Sequence, residues 1–294
     1  MVHARFAAVV LCAIGGLVLV VSGASDAGST KINASTADHE RPLAITSIYP
    51  VAKPRGLIVT TGGWLYCANT KRMARAARYT LLCGKFAKDG YTADGLRAKR
   101  HVDWGNPVYL AQFAREIARV HREVGGPLVF VGVSYSGFGM ATLASRHPEL
   151  RPDHVIVVDS YLDLVARWRH GSKSTRREIT TETGRSLGEL SARSVDLQGL
   201  ATLVRQGTRL SVIWSVTPAE RRLFNGATCA RDVNAEPLSR LARILRRPVV
   251  GWVTQGEHGF DLWNNEEAIL EGNNPGRMVR FAPSGRIPTG SYCT

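Results

Sequence analysis

The chain is short of acid and of cysteine. Of its 294 residues only 24 are Asp or Glu against 38 Lys or Arg, which gives a formal charge of +14 and a pI of about 10.1. That imbalance draws a protein toward anionic surfaces and says nothing about its fold. It does not identify nucleic acid as the partner, because the chain has no zinc finger, RNA-recognition motif or basic zipper, and nothing else in it points to specific nucleic-acid reading. It also lacks a Gly-rich phosphate loop, a nicotinamide fingerprint and any CxxC or His-rich ligand spacing, so neither a cofactor nor a metal is expected. No linker rich in Pro, Gly or Ser divides it. With 44% hydrophobic residues, 29 Gly and 13 Pro, what is there has the make-up of one sizeable globular domain.

A long apolar run occurs only at the start. Met1 to Arg5 are short and basic, Phe6 to Val21 are apolar apart from Gly15 and Gly16, and Ser22-Gly23-Ala24 is a small-residue cleavage pattern. Residues 1–24 therefore read as a secretory signal peptide. Their length approaches the ~20 residues that span a bilayer, so an uncleaved N-terminal anchor is the alternative. Cys12 follows Leu11 rather than a small residue, which argues against lipoprotein attachment. Residues 25–41 are polar and aperiodic, as a flexible leader would be, and the domain is expected over 42–294. Past the signal stand Cys67, Cys83, Cys229 and Cys293. An even set in an exported, extracytoplasmic chain favours disulfides, with Cys67 to Cys83 and Cys229 to Cys293 the economical pairing among three.

Along the domain, apolar strand-like runs alternate with helical periodicity. Gly56 to Thr61, Leu128 to Val133, His154 to Val158, Leu210 to Trp214 and Pro248 to Thr254 read as strands. Met73 to Arg78, Pro107 to Val124, Ser136 to Arg146 and Leu238 to Leu245 read as helices. Continuous apolar strands separated by helices predict an α/β fold with a mostly parallel central sheet covered on both faces. Between the strands at 154 and 210 lies a polar stretch, about 160–208, far longer than the ~2–6 residues of ordinary α/β connections. It is expected to be a short lid-like insertion, and it begins basic, with Arg167, Arg169, Lys173, Arg176 and Arg177.

The sharpest feature is Gly132-Val133-Ser134-Tyr135-Ser136-Gly137, where a buried strand turns directly into a helix. A turn this tight strains the backbone of its central residue and needs small residues two before and two after it, here Gly132 and Ser136. Downstream, Gln255-Gly256-Glu257-His258-Gly259-Phe260 follows the last predicted strand. Taken together these segments resemble the serine hydrolases of the α/β-hydrolase fold, whose elbow is G-x-S-x-G. Ser136 stands where that pattern has its second glycine.

The resemblance implies Ser134 as nucleophile and His258 as general base. It places the acid after the strand before the last. No aspartate stands at the expected place, so Asp232 is the first choice, Glu220 the second and Asp159, at the end of an earlier strand, the third. Oxyanion donors would be the backbone N–H of Tyr135 and of Gly63 or Trp64, in Thr61-Gly62-Gly63-Trp64, with Thr61 replacing the family's usual histidine.

The expected activity is that of a secreted serine hydrolase cleaving carboxylic esters, carboxylesterase- or lipase-like, on a small-molecule or lipid ester. A secreted serine peptidase of the same fold and a catalytically silent envelope-binding protein are the alternatives. Lys71 to Arg100 holds nine Lys or Arg and only Asp89 and Asp94, so an anionic envelope or membrane surface is the expected partner.

Overall fold

Apolar residues alternate along every inner strand, and they sort into two layers. A computed structural model describes residues 46–62, 64–85, 105, 107–183, 186–215, 234–255, 262 and 265–285. Its elements in chain order are β1 (Thr46–Tyr49), β2 (Leu57–Gly62), α1 (Trp64–Ala76), β3 (Thr80–Lys85), α2 (Pro107–Val124), β4 (Leu128–Val133), α3 (Tyr135–Arg146) and β5 (His154–Val158). Four helices follow, α4 (Leu164–His170), α5 (Lys173–Thr183), α6 (Leu187–Arg193) and α7 (Leu197–Arg205). The chain then forms β6 (Arg209–Ser215), α8 (Glu236–Leu245), β7 (Val249–Thr254), α9 (Glu266–Glu271) and β8 (Arg277–Phe281).

The strands make one eight-stranded sheet in the order β1-β3-β2-β4-β5-β6-β7-β8. β3, β2, β4, β5, β6 and β7 run parallel, and β1 and β8 close the two edges antiparallel. One core layer takes Leu57, Val59, Phe130, Val155 and Val157 from the sheet and packs them under α2, α3, α7 and α8. The other takes Ile58, Val129, Val131, Ile156 and Val158 under α1 and α9. The mostly parallel α/β sheet that the sequence predicts is the sheet observed.

The polar stretch after β5 folds because its short helices are individually capped. Asp163 accepts from the Ala166 N–H at 3.0 Å, Ser186 and Glu189 form a reciprocal capping box, and Asp196 accepts from the Gln198 N–H at 2.9 Å. The last of them, α7, is a layer helix that buries Leu197, Leu200, Ala201 and Leu203. Its Gly199 lies against the Ser145 carbonyl at the end of α3, where a side chain would collide. The segment from α4 to α6 is therefore the part of 160–208 that stands outside the ordinary crossover.

The Cys67–Cys83 disulfide is present and ties α1 to β3 across 16 positions, with the Cα atoms 5.9 Å apart. Cys229 and Cys293 lie outside the described residues, as do the signal and leader segments. No helix among the described residues is long and apolar enough to cross a membrane.

Candidate active site

After β2 the chain crosses to one face of the sheet as α1; after β4 it crosses to the other as α3. Since β2 and β4 are neighbours, the two helices diverge above the carboxyl ends of these strands and leave a crevice there. Ligands of open α/β sheets bind at such a switch point. The Ser134 turn and the Gly62–Trp64 turn are the two loops that border it.

Ser134 belongs to both flanking elements at once. Its N–H continues the ladder to the Val158 carbonyl at 2.9 Å, and its carbonyl accepts from the Phe138 N–H at 3.2 Å to begin α3. Meeting both demands without a connecting residue forces φ 57° and ψ −131°, outside the regions open to residues with a side chain. A serine at a helix N-cap ordinarily turns its hydroxyl onto the first helical N–H groups. Here the backbone points it away, and it makes no capping bond. Ser134 itself is half-buried.

Among the described residues six non-glycine positions have positive φ: Lys53, Arg78, Ser134, Arg151, Asp159 and Arg246. The four basic ones are exposed turn residues. Ser134 and Asp159 alone sit at strand ends within the fold, each costing roughly 1–3 kcal/mol of backbone strain.

Close packing holds the elbow in that state. A side chain at Gly132 would come within 2.5 Å of the Ser136 carbonyl, and one at Gly137 within 2.7 Å of the Ser160 Cβ. Ser136, buried completely, fills the remaining small position and does more than fit. Its hydroxyl donates to the Thr61 carbonyl at 2.5 Å and accepts from the Thr61 Oγ1 at 3.3 Å. The helix behind Ser134 is thereby bonded to the end of β2, just before the glycine pair. The sequence identifies Ser136 as small enough; its partner, 75 positions away, is visible only in three dimensions.

Tyr135 and Trp64 are the first residues of α3 and α1. Neither N–H has an acceptor within its own helix, and both lie at the positive end of a helix dipole, where negative charge is favoured. Gly63 lies outside the described residues.

Of the three candidate acids only Asp159 is described. It is 4% exposed, and its Oδ1 accepts from the Ser215 N–H at 2.7 Å, which fixes the carboxylate between the ends of β5 and β6. Since Val133 and Val158 are in register, Asp159 follows the strand beside the one that carries Ser134. Around it the hydroxyls of Ser160 and Ser215 and the amide oxygen of Asn234 are buried without a hydrogen-bond partner among the described residues, although the Asn234 Nδ2 donates to the Ser160 carbonyl at 2.8 Å. Asp232, Glu220 and His258 lie outside the described residues, with His258 four positions beyond the end of β7 at Thr254. No group of three or more His, Cys, Asp or Glu that could hold a metal ion occurs among the described residues.

No protein-family model and no curated protein sequence matches the chain. Solved structures do. The capsule O-acetyltransferase of Neisseria meningitidis serogroup A superimposes with a TM-score of 0.50 at 12% identity, over 79% of this chain and 93% of that one. An acylaminoacyl peptidase superimposes with a TM-score of 0.52 at 12% identity, over 77% of this chain and 38% of that one. Carboxyl esterase 2 of Tuber melanosporum matches at 12% identity with a TM-score of 0.44, over 78% of each chain. The architecture is that of the α/β-hydrolase fold.

Proposed function

We propose that this chain of α/β-hydrolase fold is a serine hydrolase that cleaves carboxylic esters through an acyl-enzyme on Ser134. The observation that carries the reading is the strained, uncapped Ser134 at a strand-to-helix turn, a conformation that costs stability and leaves its hydroxyl uncommitted to the helix cap. A serine hydroxyl is a weak nucleophile at its ordinary pKa, so His258 takes its proton as Oγ attacks the ester carbonyl. The tetrahedral oxyanion is met by the N–H groups opening α3 and α1, those of Tyr135 and of Trp64 or Gly63, each worth about 3 kcal/mol in the transition state. Collapse expels the alcohol with the proton from His258. A water activated by the same imidazole then attacks the acyl-enzyme and releases the carboxylic acid.

Asp232 is the acid proposed to orient His258. Asp159 is a second reading, favoured by its burial beside the elbow and its anchored carboxylate. The Cys67–Cys83 bond supports work in an oxidising, extracytoplasmic compartment, in keeping with residues 1–24 as a signal or anchor. The helices α4 to α6 are proposed as the lid over the crevice. Their Arg167, Arg169, Lys173, Arg176 and Arg177 suit an acidic or amphiphilic ester better than the free amino group that a peptidase of this fold would recognise.

Labelling the purified chain with a fluorophosphonate tests the nucleophile: wild type should be labelled at Ser134 and Ser134→Ala should not. A folded wild type that takes no label overturns the proposal and leaves the silent-scaffold reading. Turnover of p-nitrophenyl acyl esters without cleavage of aminoacyl-naphthylamides separates esterase from peptidase. Comparing kcat of Asp232→Asn and Asp159→Asn assigns the acid to whichever change removes most of it.

A further inference from the structure

A cleft opens at the amino ends of the parallel strands. Between β1, α1 and β3 lies a cleft of about 260 Å³, walled by Tyr49, Val51, Lys71, Ala74, Arg75 and Tyr79. Tyr49 pairs with Leu81 near the start of β3, so the cleft is at the amino ends of the parallel strands, whereas Ser134 is at their carboxyl ends. Along α1 the distance from Trp64 to Arg75 is roughly 16 Å at the rise of an α-helix. The cleft is therefore separate from the crevice beside the elbow.

Its charge is one-sided. Helix α1, WLYCANTKRMARA, contains no carboxylate, and its Lys71 and Arg75 are one turn apart on the same face. Like charges so spaced repel. The C-terminal dipole of α1 accommodates Arg75, in its last turn, but not the cations gathered around it. Lys71 has its ammonium 4.5 Å from the centre of the Tyr49 ring, which holds it at the cleft wall without neutralising it. Neither Lys71 nor Arg75 has an ion pair among the described residues. Arg55 lies over the Tyr79 ring at 6.0 Å, and Arg78 donates to the Lys53 carbonyl at 3.3 Å, which adds exposed charge to the same end. Among the described residues the one ion pair that α1 makes is between Arg72, on another face, and Glu266, at 4.0 Å.

We propose that this cleft is a binding site for a phosphate group, with Lys71 and Arg75 as its ligands and the tyrosine rings as walls for the body that carries it. A volume below the ~300 Å³ of the smallest drug-sized pockets admits a single headgroup-sized unit and not an acyl chain. An anion between Lys71 and Arg75 relieves their repulsion, and the guanidinium presents a fork matched to phosphate oxygens. The surrounding cations suit a phosphate displayed on an anionic lipid surface, and the same chemistry would take a soluble phosphate ester. The proposal does not depend on the reading of Ser134.

The test compares wild type with the Lys71→Gln/Arg75→Gln double variant, after both are shown to have the same melting temperature and the same fluorophosphonate labelling. One arm is co-sedimentation with phosphatidylglycerol–phosphatidylcholine vesicles against phosphatidylcholine alone; the other is calorimetric titration with glycerol 1-phosphate. Removing two cations should weaken binding about thirtyfold in the arm that carries the ligand. Loss in the vesicle arm alone identifies a lipid headgroup, and loss in the soluble arm identifies a free phosphate ester. Binding that is absent in both arms, or equal in wild type and variant, overturns the proposal. Should the double variant melt lower, Lys71→Gln and Arg75→Gln singly are read in the same two arms, and equal binding by both singles and wild type overturns it too.

Discussion

At the carboxyl ends of β4 and β5 the chain holds Ser134 and Asp159 at positive φ, beside the buried hydroxyls of Ser160 and Ser215, which have no hydrogen-bond partner among the described residues. At the amino ends of the same strands the backbone of Asp153, His154 and Thr208 is ordinary and the polar groups reach across. The Asp153 carboxylate accepts from the Leu128 N–H at 2.8 Å, the Thr208 hydroxyl donates to the Pro152 carbonyl at 2.7 Å, and the His154 ring lies 2.8 Å from the Ser211 hydroxyl. Positive φ thus falls on Ser134 and the buried Asp159 at the carboxyl ends and on exposed turn residues such as Arg151 at the amino ends, where the polar groups pair across strands except for the His154 Nδ1, which has no partner among the described residues. Cross-strand pairing is built away from the proposed site, and a strained backbone is tolerated where a side chain is proposed to be aimed.

Substitutions at the two ends should separate accordingly. The largest effect is expected from Ser134→Gly, which removes the proposed nucleophile and the strain together. Ester turnover should fall about a thousandfold or more, while unfolding free energy rises by about 1 kcal/mol in urea titration. A variant that is both inactive and less stable would break the contrast between the ends. Gly132→Ala, with a contact of 2.5 Å to the Ser136 carbonyl, should cost about 3 kcal/mol and lower activity through loss of the folded elbow.

At the lower end the expected sensitivity is to acid. Burial, helped by the nearby Arg209 charge, lowers the His154 pKa from 6.5 to about 4. The unfolded chain therefore takes up a proton at a pH where the folded one does not. This group's stabilisation is complete above about pH 6.5 and falls by about 3 kcal/mol as the pH drops to about 4. Urea titrations across that window should show the slope, and His154→Gln should flatten it without changing the pH profile of turnover near neutrality. The smallest effect belongs to Ser136→Ala. Losing the bond to Thr61 should cost about 1 kcal/mol of stability and reduce kcat more than it raises KM, because it holds the end of β2 beside the donor proposed at the head of α1.

The inner sheet was legible because its strands are buried on both faces and read as unbroken apolar runs. Leu128–Val133 and His154–Val158 match to the residue, as does the helix Pro107–Val124, bounded by Pro107 and by Gly125-Gly126. The edges were not. β1 is four residues long, β3 contains a glycine and ends in lysine, and β8 alternates exposed Met278 and Arg280 with buried Val279 and Phe281, a half-solvated antiparallel pattern hidden among charges. Helix α1 starts nine residues before the expected Met73, because its first turn has neither an acidic residue nor a proline to announce it.

At the candidate site Ser134 and its small neighbours were legible from local sterics. The Ser136 bond to Thr61 and the anchored carboxylate of Asp159 were not, because each joins residues more than fifty positions apart. The basic excess was legible as a number; its concentration around a cleft at the amino ends of the strands depended on how β1 and α1 are folded together.

The position of β2 inside the sheet also sets an order of events. With β3 and then β1 on one side of it, and β4 to β8 added successively on the other, the sheet grows outward from a strand near the start of the domain. A chain emerging N-terminus first can complete β2, α1, β4 and the serine turn while everything after β7 is still to be made. On the proposed mechanism the serine is thus in place before the histidine proposed to activate it, and it would stay unreactive until the last strands arrive.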